Sequence, residues 1–211
     1  MVRRVTEPRD LFDLLDWKRR IFTLYADIRA GEAPEAMWRS WRAVRDEMFR
    51  DHPQSPLATE DRPGFGGLTY FDYEPAWRVF ARIEFTEPHT YDIPASNDGA
   101  YSFTRFAVAR TEEVALECYW LEGYGGGLFV PFRDATSGKS TYGAGRYLLD
   151  TIKGADLGME DGRLVLDFNF AYNPSCSYDS RWVCPLAPPP NWLSIAVEAG
   201  EQHVPMGGNR A

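Results

Sequence analysis

The stretch LVLDFNFAYNPSCSYDSRWVCPLAPPPNWL, residues 164–193, is the part of the chain around which we expect the fold to be organised. Its first residues alternate between two faces, which predicts a strand, and its later residues form a Pro-rich return that cannot continue a ladder. A Gly-rich stretch, FRDATSGKSTYGAGRYLL at residues 132–149, precedes it. We predict that any binding or catalytic site lies where these two stretches meet.

Composition narrows the class of protein. The 211 residues are 44% hydrophobic and 15% aromatic, which is typical of a globular chain with a substantial core. The net charge of −8 argues against a nucleic-acid surface and against adsorption to an anionic membrane. No signal peptide or membrane span is evident, and three cysteines do not make a disulfide scaffold. We therefore expect a soluble, cytoplasmic protein, and the sequence does not indicate its oligomeric state.

Two helices are predicted at the start of the chain, over residues 8–30 and 34–51. Apolar side chains recur at spacings of three and four in both, while charged side chains occupy the remaining positions. Pro8 suits the first turn of the first helix, and Gly31 suits its end. A connection of about three residues predicts an antiparallel helical hairpin. The hairpin either covers one side of a sheet or presents a surface for a partner.

Beyond residue 53 the hydrophobic period changes from that of helices to two, which is typical of strands. The clearest strand is Trp77–Phe85, and Tyr101–Arg110 and Val114–Glu122 form a hairpin across a turn at Thr111–Glu113. Further strands are predicted at Leu68–Phe71, Leu128–Arg133, Thr141–Leu149, Arg163–Ala171 and Leu193–Ala199. This spacing predicts an α+β, mainly β protein, an antiparallel β-barrel or sandwich with an N-terminal helical hairpin. The predicted units are a helical hairpin at 1–53, a β domain at 54–203 and a flexible tail at 204–211.

A carboxylate and an amide lie on the same predicted strand face. Asp167 and Asn169 are two residues apart, and strand geometry separates such neighbours by about 7 Å. If their face looks into a barrel, both point at a possible ligand. If it does not, they are surface residues or satisfy backbone groups of the Pro-rich return, because buried polar groups need partners.

The Gly-rich stretch supplies further polar candidates. Asp134 and Thr136 can cap a turn in which Gly138 adopts a positive φ. If Thr141–Leu149 is a strand, Tyr142 and Arg146 share a face. A buried arginine needs a counter-charge, so we expect it to meet Asp134, Asp167 or a bound anion.

Several other chemistries lack their sequence signatures. Cys176 and Cys184 are eight residues apart, without the close Cys pair of a zinc site, and the histidines lie far from them in sequence. We therefore expect free thiols and no metal. There is no nucleophile elbow, no phosphate loop and no dinucleotide fingerprint, so no cofactor is predicted.

Several motifs, in order along the chain, resemble the family catalogued as domain of unknown function 1684. They are FVPFRDATSGKSTYGAGRYL (129–148), LVLDFNFAYNPSCSY (164–178), CPLAPPPNWL (184–193) and AVEAGE (196–201). The earlier segments WRAVRDEMFRDHPQSPL (41–57) and FGGLTYFDYEPAWRV (65–79) fit as well, and the first helix looks like an addition. The third motif departs from the expected CPLPPPEN. The resemblance implies no reaction, but it places Asp134, Thr136, Tyr142, Arg146, Asp167, Asn169, Asn173, Cys176 and Asn191 inside family motifs.

The leading hypothesis is that a small polar or anionic molecule binds in a β-barrel pocket lined by Arg146, Asp167 and Asn169. The predicted ligand-binding residues are Arg146, Tyr142, Thr136, Asn169 and Asn173, and the predicted catalytic residues are Asp167 and Asp134. One alternative is a hydrolase with an Asp general base. Another is an interaction module in which the polar cluster only stabilises the fold.

Overall fold

A computed structural model describes residues 8–96 and 100–203 of the chain. Two helices come first, α1 (Pro8–Ala30) and α2 (Pro34–Asp51), with the predicted boundaries. The strands that follow are β1 (Arg78–Pro94), β2 (Ala100–Arg110), β3 (Ala115–Leu121), β4 (Gly127–Phe132), β5 (Arg146–Asp150), β6 (Met159–Glu160) and β7 (Arg163–Asp167). The tail predicted at 204–211 lies outside the described residues.

The strands form one antiparallel sheet in the order β5-β4-β3-β2-β1-β7-β6. The hairpin predicted between β2 and β3 is confirmed, and its turn is closed by a hydrogen bond from the Thr111 amide to the Val114 carbonyl (2.8 Å). The clearest predicted strand is also confirmed, although β1 runs nine residues further than its predicted end at Phe85.

The sheet curls into a half-barrel. Register shifts interrupt β1 between Phe85 and His89, and β2 between Arg105 and Ala107. Irregularities of this kind bend and twist a strand locally. The chain that leaves β7 then reaches the opposite edge of the sheet, where Tyr172 and Tyr147 of β5 exchange both backbone hydrogen bonds (2.9 and 3.0 Å). The predicted class, a mainly β α+β protein with a curled antiparallel sheet and a helical hairpin, is confirmed.

The helical hairpin covers part of the main core. Tyr25 of α1 and Trp41 of α2 are buried and joined by an indole N–H to hydroxyl hydrogen bond of 3.2 Å. Trp41 also packs edge-on against Phe170, which follows β7, at a centroid distance of 5.3 Å. Burying these large aromatic side chains stabilises the hairpin against the sheet. The helical hairpin therefore covers one side of the sheet, which is the first of the two alternatives that the sequence left open.

Two predicted strands in the second half of the chain are wrong in extent. The strand predicted at Thr141–Leu149 begins only at Arg146, because a turn with Gly145 at φ +99° occupies the residues before it. The strand predicted at Arg163–Ala171 ends at Asp167, whose carboxylate accepts the Asn169 amide and starts a 3₁₀ helix. Before Arg146 and after Asp167, hydrogen bonds within a turn or to a side chain therefore take the place of hydrogen bonds between strands.

Two other predicted strands, Leu68–Phe71 and Leu193–Ala199, are absent from the described structure. Tyr70 makes only an isolated bridge with Glu201. We call residues 168–203, which follow β7, the return segment. Because this segment has short 3₁₀ helices and isolated bridges instead of strands, its backbone polar groups take other partners.

Arg146 supplies many of those partners. Its side chain is 1% exposed, and its guanidinium donates hydrogen bonds to the carbonyl oxygens of Val197 (2.9 Å), Ala199 and Glu201 (3.4 Å). It also pairs with the fully buried carboxylate of Asp134 at 3.3 Å. Burial lowers the pKa of Arg146 to about 10, against the opposing charge of Asp134, so the guanidinium remains charged at neutral pH. Arg146 therefore fastens the end of the return segment to the sheet.

We expect Arg146→Met to destabilise the protein by about 3–5 kcal/mol, because it leaves a buried carboxylate unpaired and several carbonyls without donors. Arg110→Met is the matched control, since Arg110 forms a surface ion pair with Glu84 (2.9 Å) and its loss costs less than about 1 kcal/mol. Urea unfolding followed by tryptophan fluorescence measures both. Equal losses in the two variants would contradict the fastening role.

Candidate functional site

The residues predicted to line one pocket belong to separate networks. Arg146 and Asp134 are engaged with each other and with the return segment, as described above. Thr136 donates to Asp134 (2.8 Å) and lies 2.8 Å from the Thr141 hydroxyl, inside a turn where Gly138 has the predicted positive φ, +79°. Their geometry favours a structural contribution.

Asp167 and Asn169 are bonded directly and are not the strand neighbours that the sequence predicts. Asp167 Oδ1 accepts hydrogen bonds from the Asn169 amide (3.0 Å) and from Asn169 Nδ2 (2.9 Å). Asn169 in turn exchanges two hydrogen bonds of 2.9 Å with the backbone of Glu74. The Asn169 side chain thus satisfies a backbone amide and a backbone carbonyl that no strand partner reaches. This structural contribution is the alternative to ligand binding that the sequence left open.

Asp167 is among the residues that line a cavity of about 260 Å³, which we call the Asp167 cavity. Arg78 Nε lies 3.8 Å from Asp167 Oδ2, and Arg78 also pairs with Glu160 at 3.0 Å. Residues at the turn between α1 and α2, among them Gly31 and Pro34, also line this cavity. Burial raises the pKa of Asp167 to about 6, although the hydrogen bonds from Asn169 and the charge of Arg78 act in the opposite direction.

Asn173 and Tyr142, the other predicted ligand-binding residues, lie elsewhere. Asn173 donates to the Gln202 carbonyl (2.9 Å), and its Oδ1 has no hydrogen-bond partner in the described part of the chain. The Tyr142 hydroxyl lies 3.8 Å from the Cys176 sulfur. The structure therefore does not gather the predicted site residues around one space.

A different cavity, of about 480 Å³, lies between the sheet and the Pro-rich end of the return segment. We call it the Arg133 cavity. Its walls are mostly aromatic and proline side chains, with one arginine and one aspartate. They are formed by Tyr91, Asp92, Ile93, Pro94, Tyr119, Arg133, Ala144, Leu186, Ala187, Pro188, Pro189, Pro190 and Trp192.

Arg133 and Trp192 form one side of this cavity. The Arg133 guanidinium carbon lies 4.5 Å from the centre of the Trp192 ring, a cation–π distance. The two residues are joined by an isolated parallel bridge, in which the Arg133 amide donates to Asn191 O (3.0 Å) and Leu193 N donates to Arg133 O (2.8 Å). These backbone hydrogen bonds therefore hold the Cα positions of Arg133 and Trp192 next to each other.

Asn191 holds the proline wall against the sheet. It is fully buried, its Oδ1 accepts the Glu117 amide (2.8 Å), and its Nδ2 donates to the carbonyls of Glu117 (3.0 Å) and Pro131 (2.8 Å). The Asn191 amide is thus satisfied by strands β3 and β4. This arrangement gives a physical reason for an asparagine beside three prolines.

Tyr119 lines the cavity from β3. Its hydroxyl donates to Glu117 Oε2 at 2.6 Å, and Arg105 pairs with Glu117 Oε1 at 3.3 Å. Burial and the Glu117 carboxylate raise the pKa of Tyr119 above its usual value. The phenol therefore stays neutral and contributes a largely apolar ring to the cavity wall.

Sequence reasoning missed this cavity, because its walls come from five separate parts of the chain. Only the run Pro188–Pro190, followed by Asn191 and Trp192, gave a signal. Within the described residues, no three His, Cys, Asp or Glu side chains are placed to hold a metal ion. None of the described helices combines the length and apolarity needed to cross a membrane.

Comparison with known proteins identifies the family. The sequence model described as protein of unknown function (DUF1684) matches residues 63–202. The solution NMR structure of an uncharacterized protein of Haloarcula marismortui is 36% identical, covers 80% of this chain and 93% of its own, and superposes with a TM-score of 0.55. No curated protein matches the chain. The family match spans more than half of the chain and includes the Gly-rich and Pro-rich motifs, and the chain therefore belongs to the family of domain of unknown function 1684.

Proposed function

We propose that the protein binds a small organic anion, a molecule with a flat apolar body and one acidic group, in the Arg133 cavity. This keeps the class of ligand expected from the sequence and moves the site away from Arg146, Asp167 and Asn169. The observation that carries the proposal is Arg133. In the described residues its guanidinium makes no ion pair or hydrogen bond to another side chain, and its close contact is the Trp192 ring.

The shape and lining of the cavity support this proposal. A volume of about 480 Å³ lies within the range of roughly 300–1,000 Å³ that small-molecule sites occupy. Tyr91, Tyr119 and Trp192 offer ring faces, which bind flat apolar bodies well. A mostly apolar lining with a few polar groups is also typical of such sites.

The charge at the cavity wall gives the expected polarity of the ligand. Arg133 is partly buried beside apolar side chains, where an ion pair is screened less than in water. An arginine fork binds carboxylate, sulfonate or phosphate groups through paired N–H donors. Asp92, which lines the same cavity, offers an acceptor for a hydroxyl or amine of the ligand.

A hydrolase with Asp167 as the general base is a second candidate, favoured by one observation. Asp167 borders a cavity and has a pKa of about 6, so it loses its proton near the pH at which a general base works best. Only Oδ2 is available, because Asn169 occupies Oδ1. Asp134, the other predicted base, has a fully buried side chain that is engaged by Arg146, which leaves no access for a substrate.

The binding proposal is tested with two fluorescent probes of similar shape. Anilinonaphthalene sulfonate carries an acid, and N-phenylnaphthylamine does not. We expect Arg133→Met to raise the Kd of the sulfonate about tenfold, a loss of about 1.4 kcal/mol, while the Kd of the neutral probe changes little. Trp192→Ala should weaken both probes, because it removes the aromatic wall.

The control variant for this test is Arg163→Met, since Arg163 lies over the Phe80 ring at 5.0 Å, outside the Arg133 cavity. It should leave the Kd of both probes unchanged. The proposal fails if neither probe saturates on the wild-type protein. It also fails if Arg133→Met and Arg163→Met have equal effects on the sulfonate.

The Asp167 candidate is tested through stability. Because the folded-state pKa of Asp167 is raised from 3.8 to about 6, the folded state holds its proton more tightly, and stability falls as pH rises across that window. Asp167→Asn removes this cost, so we expect the variant to be about 3 kcal/mol more stable than wild type near pH 7.5 and only about 1 kcal/mol more stable near pH 4.5. Urea unfolding at both pH values measures the difference.

Asp72→Asn, a change of an exposed aspartate in a nearby stretch, serves as the control and should have little effect at either pH. If Asp167→Asn is less stable than wild type at both pH values, the Asp167 charge stabilises the fold through Arg78. That outcome would remove the case for Asp167 as a general base.

A further inference from the structure

Two of the three cysteines belong to one mainly aromatic cluster: Cys184 is buried in it with Ile93, Phe103, Tyr119, Phe129 and Tyr147, and Cys176 packs against it. Cys176 lies in the 3₁₀ helix Ser175–Ser177, and Cys184 lies beside an isolated bridge between Ala95 and Pro185. The thiol and the backbone amide of Cys176 both donate hydrogen bonds to the Cys184 sulfur. Neither cysteine is in a disulfide. The two sulfur atoms are therefore neighbours in the reduced protein.

The backbone around Cys184 is held in place. The Ser96 amide donates to the Cys184 carbonyl (2.9 Å), and the Cys184 amide donates to Ser96 Oγ (3.0 Å). Cys184 is only 3% exposed, whereas Cys176 is partly exposed. Cys176 is thus the member of the pair that a reagent in solution can reach, and Cys184 is the fixed member behind it.

The electrostatics of the pair favour a thiolate. The hydrogen bond from Cys176 lowers the pKa of Cys184 against the effect of burial, and the nearby Lys153 ammonium lowers it further. The same hydrogen bond raises the pKa of Cys176. The two sulfurs therefore share one proton. Cys118 differs, because burial raises its pKa to about 12.

We propose that Cys176 and Cys184 are a redox-active dithiol that small disulfides oxidise to an intramolecular disulfide. This inference is independent of the proposed ligand site. Transfer of the shared proton to Cys184 leaves a thiolate on Cys176, which attacks a sulfur of the oxidant. The S–S bond of the oxidant breaks and one small thiolate leaves, so that a mixed disulfide remains on Cys176.

Cys184 completes the exchange. It gives its proton to the first released thiolate and attacks the Cys176 sulfur of the mixed disulfide, which releases the second small thiolate. One protein thiol and one thiolate become a disulfide, and the oxidant is reduced to one thiol and one thiolate, which takes a proton from water. The neighbouring position of Cys184 makes this second step intramolecular and therefore favoured over the reverse attack by the released thiol.

The reaction is tested on the reduced, folded, full-length protein with oxidised and reduced glutathione in varied ratios. Samples are quenched with acid, alkylated and digested, and the peptides are analysed by mass spectrometry. We expect a disulfide-linked peptide pair containing Cys176 and Cys184, while Cys118 is recovered in its alkylated form. The linked pair should disappear again when reduced glutathione is in excess.

Two variants identify the roles of the sulfurs. Cys184→Ser should accumulate glutathione on Cys176, because no second thiol resolves the mixed disulfide. Cys118→Ser should form the internal disulfide as the wild type does, and circular dichroism checks that both variants fold. If Cys184→Ser does not fold, the wild type and Cys118→Ser decide the question. The proposal is overturned if wild type retains glutathione on Cys176 without the internal disulfide, or if Cys118 is oxidised as fast as the pair.

Discussion

The buried guanidinium of Arg146 and the carbonyl oxygens that surround it are the interaction on which the rest of the structure depends. The return segment crosses the protein with only short helices and isolated bridges, so side chains must satisfy its backbone. Arg146 does so at one end, Asn169 bonds to Glu74 at the other, and Asn191 bonds to β3 and β4 between them. Three polar residues of the family motifs therefore bond to backbone groups that strand pairing would otherwise satisfy.

The parts of the fold that the sequence predicts well are those determined by neighbouring residues. Both helices and the β2–β3 hairpin follow from local periodicity and turn chemistry, and the structure confirms them. The strands predicted at Thr141–Leu149 and Leu193–Ala199 were wrong in extent or in kind. A turn occupies the start of the first, and the side chains of Arg146 and Asp134 bond to the backbone of the second in place of a strand. Which partner a buried backbone takes depends on contacts far along the chain, and one sequence does not contain that information.

In the candidate site, too, the sequence predicts what depends on neighbouring residues and misses what depends on contacts between distant residues. The sequence identified Arg146, Asp134 and Asp167 correctly as polar groups that need partners, and the structure supplies partners from the protein itself for all three. Arg133 was not singled out, although it stands next to Asp134. What distinguishes it is an absence of pairing in the described structure together with the Trp192 ring, and both depend on a bridge between residues far apart in sequence.

The contacts of Arg146 also have a consequence for synthesis of the chain. Its acceptor carbonyls lie 51 to 55 residues further along the sequence. While the chain is made from its N-terminus, the sheet can assemble before those acceptors leave the ribosome, and until then this guanidinium has no complete set of partners. The native state thus becomes available only when residues 197–201 have emerged. Chains that lack residues 197–201 would expose the Arg146 charge and incompletely packed core residues. Chaperones and proteases could therefore distinguish such chains from full-length molecules.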